Sequence, residues 1–69
     1  MSPREISLAV ERVRAEFMEM PGLRLTLPQA ARLMGLDRAT CEHVIGALEH
    51  AQFLRRTADG LLARGAGET

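Results

Sequence analysis

The segment Leu25–His50, with the sequence LTLPQAARLMGLDRATCEHVIGALEH, constrains the fold of this chain more than any other feature. Near its start, Thr26 is followed three residues later by Gln29, a capping box in which each side chain satisfies a backbone N–H of the first helical turn. Pro28 falls in that turn, where a missing N–H costs no hydrogen bond. A helix is therefore predicted from residue 27 to residue 34.

A second helix is predicted after only three residues, Gly35-Leu36-Asp37. Glycine tolerates the left-handed conformation that often ends a helix, and aspartate is a favoured N-cap for the next one. Apolar residues recur at helical spacing and predict the two buried sides, which are Ala30, Leu33 and Met34 in the first helix and Cys41, Val44, Ile45 and Leu48 in the second. The segment is therefore predicted to form two helices, residues 27–34 and 38–50, joined by a tight turn.

An amphipathic helix is also predicted before this segment. Ser2-Pro3-Arg4-Glu5 combines an N-cap serine, a proline at the first helical position and a glutamate three residues after the cap. One apolar stripe follows at helical spacing, formed by Ile6, Val10, Val13, Phe17 and Met20, and Pro21-Gly22 ends the helix. Leu8, Ala15 and Met18 lie off this stripe and are expected to face solvent, as scattered surface residues or as a contact with a second copy.

The last third of the chain changes to a strand-like pattern. Residues 53–57 and 61–64 carry apolar side chains and flank Ala58-Asp59-Gly60, in which Asp-Gly is a strong signal for a hairpin turn. Leu23-Arg24-Leu25 alternates and is predicted to add one short strand. Residues 65–69 have nothing to bury and are expected to form a flexible tail. We therefore predict a mainly α fold with a small β-hairpin, in which residues 1–64 form one domain.

Composition excludes several classes of protein. At 69 residues the chain holds one small domain, and its 46% apolar content is enough for a core. No apolar run approaches the roughly 18 residues of a membrane span, no signal peptide is recognisable, and a lone cysteine is typical of a reducing compartment, so we expect a cytoplasmic protein. No catalytic constellation, phosphate-binding loop or pair of metal ligands at suitable spacing occurs, and we therefore expect no enzyme, no metal and no cofactor.

The order helix, short strand, helix, glycine-containing turn, helix and Asp-Gly hairpin resembles a winged helix-turn-helix domain of the bacterial transcriptional-regulator type. LTLPQAARLMGLDRAT resembles the helix-turn-helix core, and LEHAQFLRRTADGLLAR resembles the run from the third helix into the wing. The resemblance covers residues 25–64. It implies a three-helix winged helix-turn-helix in which the third helix, residues 38–50, enters the major groove of DNA and the hairpin wing, residues 53–64, lies on the backbone.

Eight residues are predicted to contact DNA on this basis. The outer face of the third helix and its edges carry five of them, Arg38, Ala39, Thr40, Glu42 and His43, and the hairpin carries Arg55, Arg56 and Arg64 for phosphate neutralisation. Neighbouring residues on a strand face opposite sides, so Arg55 and Arg56 cannot both point at one surface without twist. The alternative for these residues is that they are ordinary solvated side chains or, for Thr40, a hydroxyl at a helix start.

Two functions stay open from the sequence. The first is a small sequence-specific regulator that binds double-stranded DNA, as a homodimer on a twofold site because one short recognition helix buries little surface. The second is a winged-helix protein-interaction module, an adaptor or anti-repressor that does not bind DNA. A net charge of zero and Glu42 on the outer face of the third helix favour the second function, because nucleic-acid-binding domains are usually basic.

Overall fold

The computed structural model describes residues 3–65 as three α-helices followed by a two-stranded antiparallel hairpin. The elements are α1 (Pro3–Glu19), α2 (Leu27–Met34), α3 (Arg38–His50), β1 (Leu54–Arg56) and β2 (Leu62–Arg64). The prediction of a mainly α fold with a small β-hairpin is confirmed. Ser2 of the first predicted capping box and residues 66–69 of the predicted tail lie outside the described residues.

The turn between α2 and α3 forms as the sequence predicts. The Gln29 backbone N–H donates to the Thr26 hydroxyl at 3.2 Å, and the Thr26 N–H donates to Gln29 Oε1 at 2.8 Å, which completes the capping box. Gly35 ends α2 in the left-handed conformation at φ 68°, and the next N–H, that of Leu36, donates to the Ala31 carbonyl. Local hydrogen bonding therefore fixes where α2 ends and how α3 leaves it.

The core lies where the three helices meet the hairpin. Its fully buried large side chains include Val13 and Phe17 of α1, Val44 and Ile45 of α3, and Leu62 of β2. α2 contributes Ala30 and Met34, which lie four residues apart on one side of a helix of eight residues. Since α2 presents only that side to the core, residues elsewhere on it stay at the surface.

Two residues predicted to be buried are exposed, and these predictions are wrong. Leu33 of α2 is 51% exposed, because α2 packs on the core through the side that carries Ala30 and Met34, and Leu33 lies off that side. Met20, the last residue of the predicted α1 stripe, is 46% exposed, because α1 ends at Glu19. Ala9, which was not assigned to the stripe, is buried.

The hairpin has two different faces, and its register decides which arginine lies on which. Leu54 pairs with Arg64, Arg55 with Ala63, and Arg56 with Leu62. Leu54 and Leu62 are buried in the core, so the pair Arg55–Ala63 lies on the outer face. The predicted strand at residues 23–25 reduces to one antiparallel bridge, between Leu25 and Leu62. No helix within residues 3–65 has the length and apolar character needed to cross a membrane.

Candidate nucleic-acid interface

The start of α3 is fixed by its own side chains. Asp37 is the N-cap and accepts hydrogen bonds from both the backbone N–H of Thr40, at 3.1 Å, and the Thr40 hydroxyl. The hydroxyl of Thr40 holds the pKa of Asp37 below its ordinary value, and the Thr40 backbone N–H adds to this effect. Thr40 is also buried. The structure therefore places this predicted DNA contact in the helix cap, with its hydroxyl already engaged.

The outer face of α3 combines small residues with one histidine. Ala39, His43 and Gly46 are exposed, and the space around Gly46 holds no heavy atom within 4 Å of where a Cβ would stand. Arg38 and Glu42 lie one turn apart at the edge of this face, with 3.4 Å between Arg38 Nε and Glu42 Oε2. This exposed pair adds little stability, and together with the Asp37 carboxylate at the N-cap it leaves the helix start with a net negative charge.

The three hairpin arginines do not form one basic surface. Arg55 is exposed on the outer face, whereas Arg56 reaches from the opposite face to α3, where its Nε lies 2.9 Å from Oε2 of Glu49. The predicted divergence of these two neighbours is thus observed. Glu49 was not predicted to take part. No local pattern could have found it, because it lies seven positions before Arg56 and on the other side of a helix end.

Arg64 belongs to the packing between the hairpin and α1. Its Nη1 donates to the backbone carbonyl of Phe17 at 3.3 Å, and its guanidinium carbon lies 4.9 Å from the centre of the Phe53 ring. A cation over an aromatic face is attracted by the ring's negative charge density. Arg14 of α1 lies over the same ring at 5.4 Å. The structure therefore gives Arg64 a structural position, half-buried among neighbours.

One candidate residue was missed by the sequence reasoning. Arg24 precedes Leu25, which pairs with Leu62 on the core side of the sheet, so Arg24 falls on the outer side together with Arg55. Ala63, a small buried residue of β2, belongs to this same outer face. The alternation of Leu23-Arg24-Leu25 in the sequence already indicated that Arg24 faces away from the two leucines. The outer face of the sheet thus brings Arg24 and Arg55 to one side.

Cys41, Glu42 and His43 are consecutive and have side chains that can bind metals, but they do not form a metal site. Cys41 is completely buried and its Sγ lies 3.9 Å from the Leu27 carbonyl oxygen, whereas His43 is exposed on the outer face. Within residues 3–65, no cluster of three histidine, cysteine or acidic side chains could hold a metal ion. A half-open cleft of about 270 Å³ lies between α1 and the end of α3, lined by Val10, Arg14, Ala47, Leu48, Ala51 and Phe53.

Comparison with known proteins adds no relative from which a role could be transferred. No family model matches the chain, and neither a curated protein nor a solved structure is similar enough to count as a match.

Proposed function

We propose that the protein is a small DNA-binding transcriptional regulator of the winged helix-turn-helix type. α3 enters the major groove, and the hairpin lies along the phosphate backbone. The observation that carries the proposal is the outer face of α3, where Ala39 and Gly46 leave room for close approach and His43 stands between them. A helix with small residues on its exposed face approaches a groove floor closely, and an imidazole can donate to or accept from base edges.

The predicted contacts divide into those that suit DNA and those that serve the fold. Four exposed residues on or beside the groove-facing side of α3 are kept as proposed DNA contacts, namely Arg38, Ala39, Glu42 and His43. Arg55 is retained as a phosphate contact, and Arg24 joins it from the same side of the sheet. Arg56 contributes once Glu49 gives way to a phosphate. Thr40 and Arg64 are assigned to the helix cap and to the packing on α1.

The proposal is tested by fluorescence anisotropy with random-sequence duplex DNA at several salt concentrations. Affinity should fall linearly with salt on logarithmic axes, because each bound phosphate releases counterions. Arg55→Ala should lower both the affinity and the salt slope for every sequence, by about one counterion in the slope. Arg4→Ala removes the same charge from α1 and is the matched control, expected to leave binding unchanged. No binding at low salt would refute the proposal.

Sequence reading by α3 needs a separate experiment, in which a DNA sequence is selected from a random pool. His43→Ala should change the preference at particular base pairs while keeping the non-specific affinity. A variant that selects the same sequence as the parent would show that His43 does not face the bases. One short helix buries little surface, so specific binding is proposed to require two copies on a twofold site.

A protein-docking module is the second candidate, and a specific observation favours it. Asp37, Arg38 and Glu42 give the start of α3 a net negative charge, which disfavours contact with phosphates, and Leu33 of α2 is 51% exposed. A leucine exposed to this extent can bury apolar surface in a contact with another protein. If DNA binding is absent at low salt, Leu33→Asp should abolish capture of a protein partner that the parent captures, with Met20→Asp, at another exposed apolar residue, as the control.

A further inference from the structure

The first turn of α3 carries an ion pair whose order does not favour the helix. Arg38 is the first residue of α3 and Glu42 lies one turn further along, with 3.4 Å between Arg38 Nε and Glu42 Oε2. The amino end of a helix favours negative side chains and disfavours positive ones, so an arginine followed by a glutamate is the less stabilising order. The two side chains are 81% and 51% exposed, and ion pairs in this setting add little stability. Stabilisation of α3 therefore does not account for the pair.

The pair presents a strong hydrogen-bond donor and a strong acceptor side by side. Within the described part of the chain Arg38 donates through Nε alone, so its terminal nitrogens Nη1 and Nη2 keep their donors for another molecule. Glu42 accepts this bond at Oε2, and a carboxylate has a second oxygen with which to accept. The carboxylate of Asp37 is already engaged in the helix cap by the backbone N–H and the hydroxyl of Thr40. Glu42 is therefore the acidic group that this edge of α3 offers to a ligand.

The next step rests on the proposed function, in which α3 enters the major groove with the residues of its first turns nearest to the bases. A carboxylate that leaves water in this way needs a hydrogen-bond donor, because an unpaired charge is costly to bury. Phosphate groups offer no donor. On the base edges of the major groove, the donors are the amino groups N4 of cytosine and N6 of adenine. Glu42 therefore restricts which base can face it.

Arg38 adds a second restriction. Guanine presents two acceptors, O6 and N7, and a guanidinium can donate to both of them. Within a G·C pair guanine O6 and cytosine N4 lie side by side, because they are hydrogen-bonded to each other, and the side-by-side donor and acceptor of Arg38 and Glu42 match them in one orientation of the pair. The reversed pair and an A·T pair place a donor before Arg38 and an acceptor before Glu42. A T·A pair leaves Arg38 with one acceptor instead of two.

We infer that Arg38 and Glu42 together recognise one G·C base pair. Arg38 donates from its terminal nitrogens to O6 and N7 of the guanine, and Glu42 accepts from N4 of the paired cytosine. The contact between Arg38 Nε and Glu42 Oε2 is kept and holds the two groups beside each other. The carboxylate that repels phosphates thereby lowers affinity for non-specific DNA and selects against the wrong base.

Base analogues in a selected DNA site test the two contacts separately. A preferred site is first selected from a random pool at low salt, and it should contain a G·C pair that Arg38→Ala and Glu42→Ala no longer select. One analogue is a deazaguanine with carbon in place of N7, and the other is cytosine methylated on N4, which replaces the hydrogen facing the groove. Both analogues still form the base pair. Each should lower the affinity of the parent by about fivefold or more.

The variants show which residue makes which contact. Arg38→Ala should be insensitive to the deazaguanine but sensitive to the methylated cytosine, and Glu42→Ala should behave in the opposite way. Glu19→Gln on α1 is the control and should respond to both analogues as the parent does. A parent that selects no such pair or tolerates both analogues overturns this inference alone, as do variants that respond like the parent. Absence of binding to any duplex at low salt refutes the proposed function, and this inference with it.

Discussion

Glu49 and Arg56 join the end of α3 to the first strand of the hairpin, with Oε2 of the carboxylate 2.9 Å from Nε of the guanidinium. The chain reverses between them at Gln52, whose φ of 64° lies in the left-handed region. Their side chains are 30% and 47% exposed, so solvent screens the attraction only in part. The contact holds the hairpin against α3 and at the same time neutralises an arginine proposed to approach DNA.

Removing the Glu49 charge should strengthen DNA binding. In Glu49→Gln, Arg56 is released from its carboxylate, so the affinity for random-sequence duplex DNA should rise by about threefold or more at low salt. The free energy of unfolding should fall by less than about 1 kcal/mol, because the ion pair is partly exposed and solvent screens part of its attraction. Anisotropy and urea denaturation measure the two effects. Glu19→Gln on α1 makes the same charge change elsewhere, and an equal gain there would contradict a local role for Arg56.

The stability of α3 should depend on pH through Asp37. Hydrogen bonds from Thr40 lower the folded-state pKa of this carboxyl from 3.8, so its contribution to stability is complete above that value and is lost as pH falls through the folded pKa. Asp37→Asn retains an N-cap that cannot titrate, and its stability should fall less than that of the parent between about pH 5 and pH 3. Urea midpoints at these pH values measure the difference, and parallel curves for both proteins would refute the assignment.

Replacing each of two glycines by alanine should change the free energy of unfolding in opposite directions. Gly46 lies inside α3 with open space around it, so Gly46→Ala should raise the free energy of unfolding by about 0.5–1 kcal/mol. Gly35 has φ 68°, which alanine disfavours, so Gly35→Ala should lower it by about 1 kcal/mol or more. Thermal denaturation decides both. Gly46→Leu should keep the fold yet weaken DNA binding, and full affinity in that variant would remove Gly46 from the interface.

The thiol of Cys41 should report on opening of the core. Burial raises the pKa of this thiol, and the nearby charge of Glu42 adds to the shift. Because the thiolate is the reactive form, an aromatic disulfide reagent at pH 8 should react at least about a hundredfold more slowly with the native chain than with the chain in urea. Rapid native reaction would show that α2 and α3 separate easily, since the Leu27 carbonyl covers the sulfur.

The helix boundaries were predictable because the residues that set them are close in sequence. Thr26 with Gln29, Gly35 and Asp37 each act within one helical turn, and all four do so in the structure. Leu33 was misplaced, because eight residues of α2 give too few repeats to tell which apolar positions face inward. Periodicity finds a buried side more securely in α1, which is twice as long and where Val13 and Phe17 are buried as predicted.

The contact partners of the arginines could not be predicted from the sequence, although the strand face of two of them could. Arg56 meets Glu49, and Arg64 meets the Phe17 carbonyl, only after the hairpin has packed on α3 and α1. Both contacts depend on tertiary placement and leave no periodic trace. The placement of Arg55 and Arg56 on opposite faces did follow from strand alternation, and the same rule applied to Leu23-Arg24-Leu25 would have added Arg24 to the candidate interface.

The position of Arg64 also determines how the hairpin can meet a large ligand. Its contacts with the Phe17 carbonyl and the Phe53 ring fasten β2 to α1, while Arg56 fastens β1 to α3. A hairpin held at both strands has little freedom to change its orientation relative to the helices. In the proposed complex with DNA, little orientational entropy of the hairpin would be lost on binding, and a duplex seated on α3 would have to bend wherever it does not fit the hairpin.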